Sequence, residues 1–372
     1  MSEALNNRRE ASVKRRVASH LLPWFESVRR DLPWRRNRTA YRVWISELML
    51  QQTRVDTVIP YFQRFMARFP TVAALAAAPR DEVMKAWEGL GYYRRVIRAH
   101  EMAKHIVDER KGRFPRSRDE WLKLDGVGPY TAAAVASLAF GEDVAVVDGN
   151  VIRVLSRWFG IDEPVGKAKT RRRFDELAHA LLPRGSSAAY NEAMMELGAT
   201  VCTPRNPACG SCPMRPVCFA AKTGQPESFP VVAPASALPH KHVGAGVIVD
   251  QRGRILIARR NEKAMLGGLW EFPGGGVEEG ETLPQCIARE LAEELGLSVR
   301  VGPHLITVRH TFSHFRMDLH AYWVRIDSGR PKAIGCAGFA WVTPDTISTY
   351  ALPRADQKIL EALQGNWPPP GF

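Results

Sequence analysis

The chain has 372 residues, 45% of them hydrophobic and 24% charged, and 52 Lys and Arg against 39 Asp and Glu leave a net charge of +13. That length suits two or three domains with sizeable cores, and there is no apolar run of the roughly 18 residues a membrane span needs. The basic balance favours a polyanionic partner, because neutralising phosphates releases counterions, and "MSEALNNRREASVKRR" lacks the apolar stretch of a secretory leader, so an intracellular protein is expected.

Residues 12–222 read as nearly all helix. Amphipathic spacing recurs in "VKRRVASHLLPWFESVRR", "YRVWISELMLQQTRVDTVIPYFQRFMARF", "RDEVMKAWEGL" and "RRFDELAHALL". Breaks are expected at Pro23, Pro33, Pro70, Pro79 and Pro115, with Pro60 at a break or a kink. In "LDGVGPYTAAAV", Gly126 and Gly128 permit positive φ, and Pro129 suits the first position of a helix whose free N–H groups face outward. After Cys218, "TGQPESFPVVAPASALPHK" reads as a linker. Beyond it, "VGAGVIVDQRGRILIARR" alternates and turns at Asp250–Gly253 as a hairpin would, and the remainder gives further strands and one helix.

Two carboxylates stand out in the helical part. Glu47 in "VWISELMLQQT" has Val43, Trp44, Leu50 and Gln51 as its helical neighbours; a carboxyl held among apolar groups keeps its proton near neutrality, although a solvated surface glutamate fits the same pattern. Asp148 in "VVDGNVIRVL" has the position of an ordinary helix cap. One protonated and one ionised carboxyl are the minimum for cleaving a bond to an anomeric carbon. In "CTPRNPACGSCPMRPVC", Cys202, Cys209, Cys212 and Cys218 ask for a metal centre, and their spacing leaves zinc and an iron–sulfur cluster both open.

Taken together, "SELMLQQT", "GLGYY", "GVGPYTA", "VDGNV", "NEAMMELGA" and the C-x6-C-x2-C-x5-C run resemble the helix-hairpin-helix DNA glycosylases, specifically the MutY family of adenine DNA glycosylases. The resemblance implies an all-α glycosylase domain over 1–222, with a helix-hairpin-helix at about 118–140 and a [4Fe–4S] loop at 202–218. A linker at 223–240 and an α+β Nudix/MutT-like domain at 241–368 would follow. It implies that Glu47 protonates a flipped adenine, that Asp148 stabilises the sugar cation, and that Tyr130 and Asn150 position these groups. Tyr130 stands where the endonuclease III branch has its nucleophilic lysine, which implies a monofunctional enzyme. Gly126 and Gly128 would hold a DNA phosphate; Arg30, Trp34, Arg35, Leu50, Glu192 and Met195 would surround the base; Gln52 and Tyr92 would fill the duplex beside it.

In "GGVEEGETLPQCIARELAEELGL" the Nudix box is intact, and Glu290, Glu293 and Glu294 offer hard oxygens for Mg²⁺ or Mn²⁺. The family usually uses this domain to recognise 8-oxoguanine opposite the adenine, here through Phe312, Ser313 and His314. The implied partner is double-stranded DNA with A:8-oxoguanine or A:G mispairs, met by a monomer at a bacterial nucleoid, with no membrane. Two other functions fit parts of the chain: a bifunctional pyrimidine glycosylase/lyase, which Tyr130 and the C-terminal domain argue against, and a DNA-tethered Nudix nucleotide hydrolase.

Overall fold

The computed structural model describes residues 3–233 and 237–365. Residues 234–236 of the expected linker and 366–368 of the expected C-terminal domain lie outside the described residues. In chain order the helices are α1 (Glu3–Arg16), α2 (Leu22–Val28), α3 (Ala40–Leu50), α4 (Val55–Arg68), α5 (Val72–Ala77), α6 (Arg80–Ala86) and α7 (Arg94–Asp108). They continue with α8 (Arg118–Trp121), α9 (Pro129–Phe140), α10 (Gly149–Phe159), α11 (Ala168–Leu181), α12 (Ser187–Thr200), α13 (Phe219–Thr223), α14 (Leu283–Leu295) and α15 (Arg354–Gly365). Among the described residues no helix is long and apolar enough to cross a membrane.

Two compact units are present. The first comprises 1–77 and 101–235. At its centre lies α9, whose Thr131–Leu138 stretch is buried all round. Its small alanines let α3, α8 and α12 approach closely, which is how a helix without a polar face is accommodated. Pro129 opens α9 as expected, and Gly141 closes it in the left-handed conformation that glycine adopts without steric cost. A core built from Phe25, Trp158, Phe174, Tyr190 and Leu197 joins α2, α10, α11 and α12. Pro23 does not break the helix: a π-turn over Val17–Leu21 leads directly into α2, and such a widened turn is how a helix runs on past a proline that lacks an N–H. Pro60 lies inside a continuous α4, on an exposed face where water can satisfy the carbonyl that its missing N–H leaves free.

The second unit comprises 78–100 and 236–372. It holds a four-stranded sheet in the order β4 (Gly274–Gly276), β1 (His240–Ile248), β6 (Arg316–Ser328), β5 (Ser298–Thr311), with β1 and β6 parallel. A second sheet has the order β3 (Trp270–Glu271), β2 (Ile255–Arg259), β7 (Gly338–Val342). The turn at Asp250 forms, because its carboxylate accepts from the Arg252 and Arg254 amides. However, the expected hairpin stops at the single Val249–Ile255 bridge, and β1 and β2 then enter different sheets. Residues 78–100, read from sequence as part of the helical domain, group with this unit through specific contacts. Lys85 donates to the Tyr350 carbonyl at 3.0 Å, Glu88 accepts from the Leu352 amide at 2.8 Å, and Asp81 pairs with Arg259 at 3.1 Å.

Helix α14 lies on β1 through two glycines: a Cβ on Gly244 would come within 2.7 Å of Ile287 Cγ1, and one on Gly246 within 3.0 Å of Leu291 Cδ1. Gly244→Val should therefore lift α14 from the sheet and destabilise the protein by about 1–3 kcal/mol, the usual cost of overpacking. Thermal unfolding of the C-terminal transition checks this; an unchanged midpoint would mean that the helix moves without resistance.

Candidate active site

Glu47 projects from α3, a helix that buries Tyr41, the run Val43–Glu47 and Met49. Only 3% of Glu47 is exposed, so the solvated-surface reading of this glutamate does not hold. The Tyr130 hydroxyl, in the first turn of α9, donates to its Oε2. Burial, reinforced by the charges of Asp148 and Glu192 and opposed by the Tyr130 bond and by Arg35, pushes Glu47 up to about 7. At neutral pH about half of such a group carries its proton, against almost none for an ordinary glutamate.

Asp148 is the N-cap of α10, as its sequence position indicated, and accepts from the Val151 amide at 2.7 Å. Its other oxygen accepts from Asn150 Nδ2 at 2.8 Å. Burial raises its pKa, while these bonds and the nearby Arg153 oppose the rise. The segment leading to Asp148 is fixed by Asn191, whose side chain accepts from the Val146 amide and donates to the Val144 carbonyl, each at 2.9 Å.

Helix α12 brings two buried acids to the same region. Glu192 receives Arg35 at 3.0 Å and Arg38 at 2.8 Å; Glu196 receives Arg30 at 2.6 Å and Arg35 at 2.9 Å. Burial would raise Glu196, but its two guanidinium partners outweigh that and hold it below the usual carboxylate range. Arg38 and Glu196 were missed from sequence, and no local signal marks them, since each pair spans over 150 residues. Trp34 is buried edge-on against Phe62 at 5.5 Å, Leu50 is half-buried at the end of α3, and Met195 packs on the edge of the α10–α12 core.

The loop before α9 differs from expectation in one respect. Gly126 has φ of +77°, but Gly128 is extended with φ of −89°; nothing lies within 4 Å of where a Gly128 Cβ would stand. Gln52 and Tyr92, both exposed, occupy the left-handed region at φ of 56° and 48°, a strain that non-glycine residues carry only where surroundings impose it. Gln52 belongs to the first unit and Tyr92 to the second.

Cys202, Cys209, Cys212 and Cys218 are free thiols lining one pocket with about 330 Å³ of atom-free space. Burial pushes the Cys212 thiol up to about 12 and also raises Cys202 and Cys218. Thiols raised in this way become thiolates only against a strongly positive group, and four cysteines lining one pocket are a donor set that fits an iron–sulfur cluster. Arg157, buried under the loop, donates to Cys202 Sγ at 3.3 Å and to the Thr203 carbonyl at 2.7 Å. Arg153 joins the two sites: it donates to Asn150 Oδ1 at 2.8 Å and to the Cys202 carbonyl at 2.8 Å. Neither arginine was singled out from sequence, although their spacing from Asn150 puts all three along one side of α10.

In the second unit, Phe312–His314 form the turn between β5 and β6, closed by the Phe312 amide on the Phe315 carbonyl at 2.9 Å; Ser313 and His314 are exposed. The Nudix-box acids are already engaged. Arg289 contacts Glu281 at 2.9 Å, Glu290 at 3.1 Å and Glu293 at 3.3 Å. Glu294 is pushed up to about 7 by burial and by Glu271 and Glu290, and its Oε2 is buried without a hydrogen-bond partner. Among the described residues Glu290, Glu293 and Glu294 do not bring their ligand atoms close enough to share one ion.

A buried protonatable carboxyl, a second carboxylate capping a helix, a glycine loop opening a helix and a four-cysteine pocket together define a base-excision glycosylase of the helix-hairpin-helix class. Residues 45–180 match the HhH-GPD superfamily of base excision DNA repair proteins, residues 202–218 the iron-sulfur binding domain of endonuclease III, and residues 244–362 the NUDIX domain. The structure of a thermostable thymine-DNA glycosylase aligns with 59% of this chain and 100% of its own, at 32% identity and a TM-score of 0.52. The adenine DNA glycosylase of Homo sapiens is 36% identical over 403 residues, 94% of this chain and 74% of its own. That of Buchnera aphidicola subsp. Schizaphis graminum is 30% identical over 345 residues, 92% of this chain and 97% of its own. The chain belongs to the adenine DNA glycosylase family.

The α10–α12 contact is tight where the site depends on it. A Cβ on Gly198 would lie 2.5 Å from Asn150 Cβ. Gly198→Ala should displace Asn150 from Asp148, cost about 1–3 kcal/mol in urea unfolding and slow catalysis. Wild-type stability and rate in this variant would show that Asn150 needs no fixed position.

Proposed function

We propose that this protein excises adenine from duplex DNA by hydrolysing the N-glycosidic bond, acting on adenine opposite 8-oxoguanine or guanine. The observation that carries the reading is Glu47: a carboxyl buried in a basic protein, held by Tyr130, and still partly protonated near neutrality. With the base flipped out of the stack, Glu47 donates its proton to adenine, at N7, so that a neutral base leaves rather than an anion. Asp148, ionised and anchored by Val151 and Asn150, stabilises the sugar as positive charge develops, by charge or by transient capture. Tyr130 and Asn150 position the two carboxyls and the attacking water. No amine stands at Tyr130, so the reaction ends at the abasic site and the enzyme is monofunctional.

Around this centre, Glu192, Met195, Leu50, Trp34, Arg30 and Arg35 form the wall of the base pocket, the arginines through their hold on Glu192 and Glu196. Gly126, Gly128 and the α9 N-terminus take a phosphate. Gln52, exposed in a strained turn, fills the gap left by the base. Cys202, Cys209, Cys212 and Cys218 hold a [4Fe–4S] cluster that orders the 202–218 loop for DNA docking. The turn at Phe312, Ser313 and His314 reads the opposing base, with Ser313 bonding the N7–H or O8 of 8-oxoguanine. A divalent cation at Glu290, Glu293 and Glu294 would compete with Arg289 for Glu290 and Glu293, and the domain's part in the reading rests on the Phe312–His314 turn. One chain carries every part, so it acts as a monomer.

Glu47→Gln should lower single-turnover adenine release from an A:8-oxoguanine duplex at least about 10²-fold, leaving duplex affinity within a few-fold. In the wild type the protonated carboxyl is the active form, so release should fall as pH rises through about 7, approaching tenfold per unit above it. Near-normal release by the variant, or a flat profile between pH 6 and 9, would overturn the assignment. The purified protein should also be brown and contain about four irons, the complement of a four-thiolate cluster; stoichiometric zinc and no visible absorption would refute the cluster.

A further inference from the structure

On the outer face of the four-stranded sheet, at the end that α14 leaves uncovered, histidines gather that the reading above does not use. β1 and β6 run parallel with His242 opposite Asp318, and His320 is two residues further along β6, on the same face. The ligand-capable atoms of His242, Asp318 and His320 all lie within 4.8 Å of one another. His242 Nδ1 stands 3.2 Å from His320 Nε2, close to the edge of about 3.3 Å between two nitrogens on one tetrahedral zinc.

The shell around these atoms is already arranged for an ion. Thr307 on β5 sits opposite His320, and its hydroxyl lies 2.9 Å from His320 Nδ1 and 2.9 Å from His304 Nε2. With His320 Nδ1–H donating to Thr307, and Thr307 donating to His304, the His320 Nε2 lone pair is left pointing at His242. His240 bonds Asp318 Oδ1 at 3.3 Å and orients that carboxylate. Arg309 stands 3.9 Å from the other carboxylate oxygen, on a side chain 88% exposed and free to swing into water.

We propose that His242, Asp318 and His320 bind a borderline divalent transition-metal ion, zinc by preference, with water in the fourth position. Two imidazoles and one carboxylate are a set that zinc takes readily and that the hard cations Mg²⁺ and Ca²⁺ do not favour. The ion joins β1 to β6, residues 76–78 positions apart in sequence, and braces the β5–β6 hairpin that ends in Phe312–His314. Closing so long a loop makes metal binding a source of folding stability as well.

The test titrates Zn²⁺ into the intact protein with its iron in place, by calorimetry, with iron content measured before and after. One site is expected, with no iron released, and the C-terminal unfolding transition moves up with added zinc. His242→Ala and His320→Ala, both on the sheet surface, should each abolish that heat and that shift while circular dichroism and iron content stay as in the wild type. Thr307→Val should leave binding intact but weaken it about 10–100-fold, the effect of removing a partner that orients a ligand. Absence of binding, binding that displaces iron, or binding that survives both histidine variants would overturn the proposal. None of these readouts depends on adenine release.

Discussion

A carboxyl group without a cation of its own decides how the helical unit is organised. Four acids meet around the site, and three are compensated. Glu192 has Arg35 and Arg38, Glu196 has Arg30 and Arg35, and Asp148 has the Val151 amide, Asn150 and the nearby Arg153. Among the described residues Glu47 has the neutral Tyr130 hydroxyl as its hydrogen-bond partner, with Arg35 acting on it from further off. In a low-dielectric interior an uncompensated charge costs several kcal/mol, so the proton settles on the acid with the least help. The difference between Glu47 and Asp148 therefore lies in the hydrogen-bond partners placed beside them, a single hydroxyl for the first and the α10 amide with Asn150 for the second.

That placement depends on helices staying in register, and α10 is the element that transmits it. Asn150, Arg153 and Arg157 fall along one side of the helix, the first reaching Asp148 and the last the Cys202 sulfur. Arg153 bonds Asn150 and the Cys202 and Gly198 carbonyls at once. A cysteine loop that lost its order would release these bonds one after another, ending at the carboxylate. The geometry thus links the cysteine loop to Asp148 through a continuous chain of hydrogen bonds.

The helical character of the first unit, the opening of α9 at Pro129 and the cap at Asp148 were legible because they rest on local chemistry: spacing, proline at a helix start, a short acid before Gly-Asn. The four cysteines were legible as a metal-binding group, but not that they line a single pocket. Glu47 stayed ambiguous because a helix buried on most faces, as α3 is, has no polar side from which to infer exposure. The Arg30–Glu196 and Arg38–Glu192 pairs are tertiary and leave no trace in spacing. The β1–β2 hairpin was misread because alternation reports a strand and not the sheet it joins. The docking of 78–100 on the C-terminal unit rests on isolated contacts such as Glu88 to Leu352, which no composition shift announces. Gly126 and Gly128 look alike in sequence, and only the first needs glycine's freedom.

The second unit likewise ties most of its acids to arginine and leaves one buried acid without such a partner, and this bears on a Nudix box that is complete in sequence. A Cβ at Gly275 would lie 2.1 Å from Glu290 Oε1, so the glycine leaves room for that carboxylate where it stands. Arg289 gathers Glu281, Glu290 and Glu293 and also bonds the Gly276 carbonyl, tying the helix to the loop before it. Gly296 closes α14 in the left-handed conformation. Glu294 turns inward towards Glu271, which burial holds above the usual carboxylate range even with Arg260 bonded to it. Each residue that defines the motif is thus used in packing the loop, helix and sheet against one another. A motif that elsewhere marks a metal site can persist intact for the geometry alone, and its presence in sequence is evidence for the loop–helix–loop shape before it is evidence for hydrolysis.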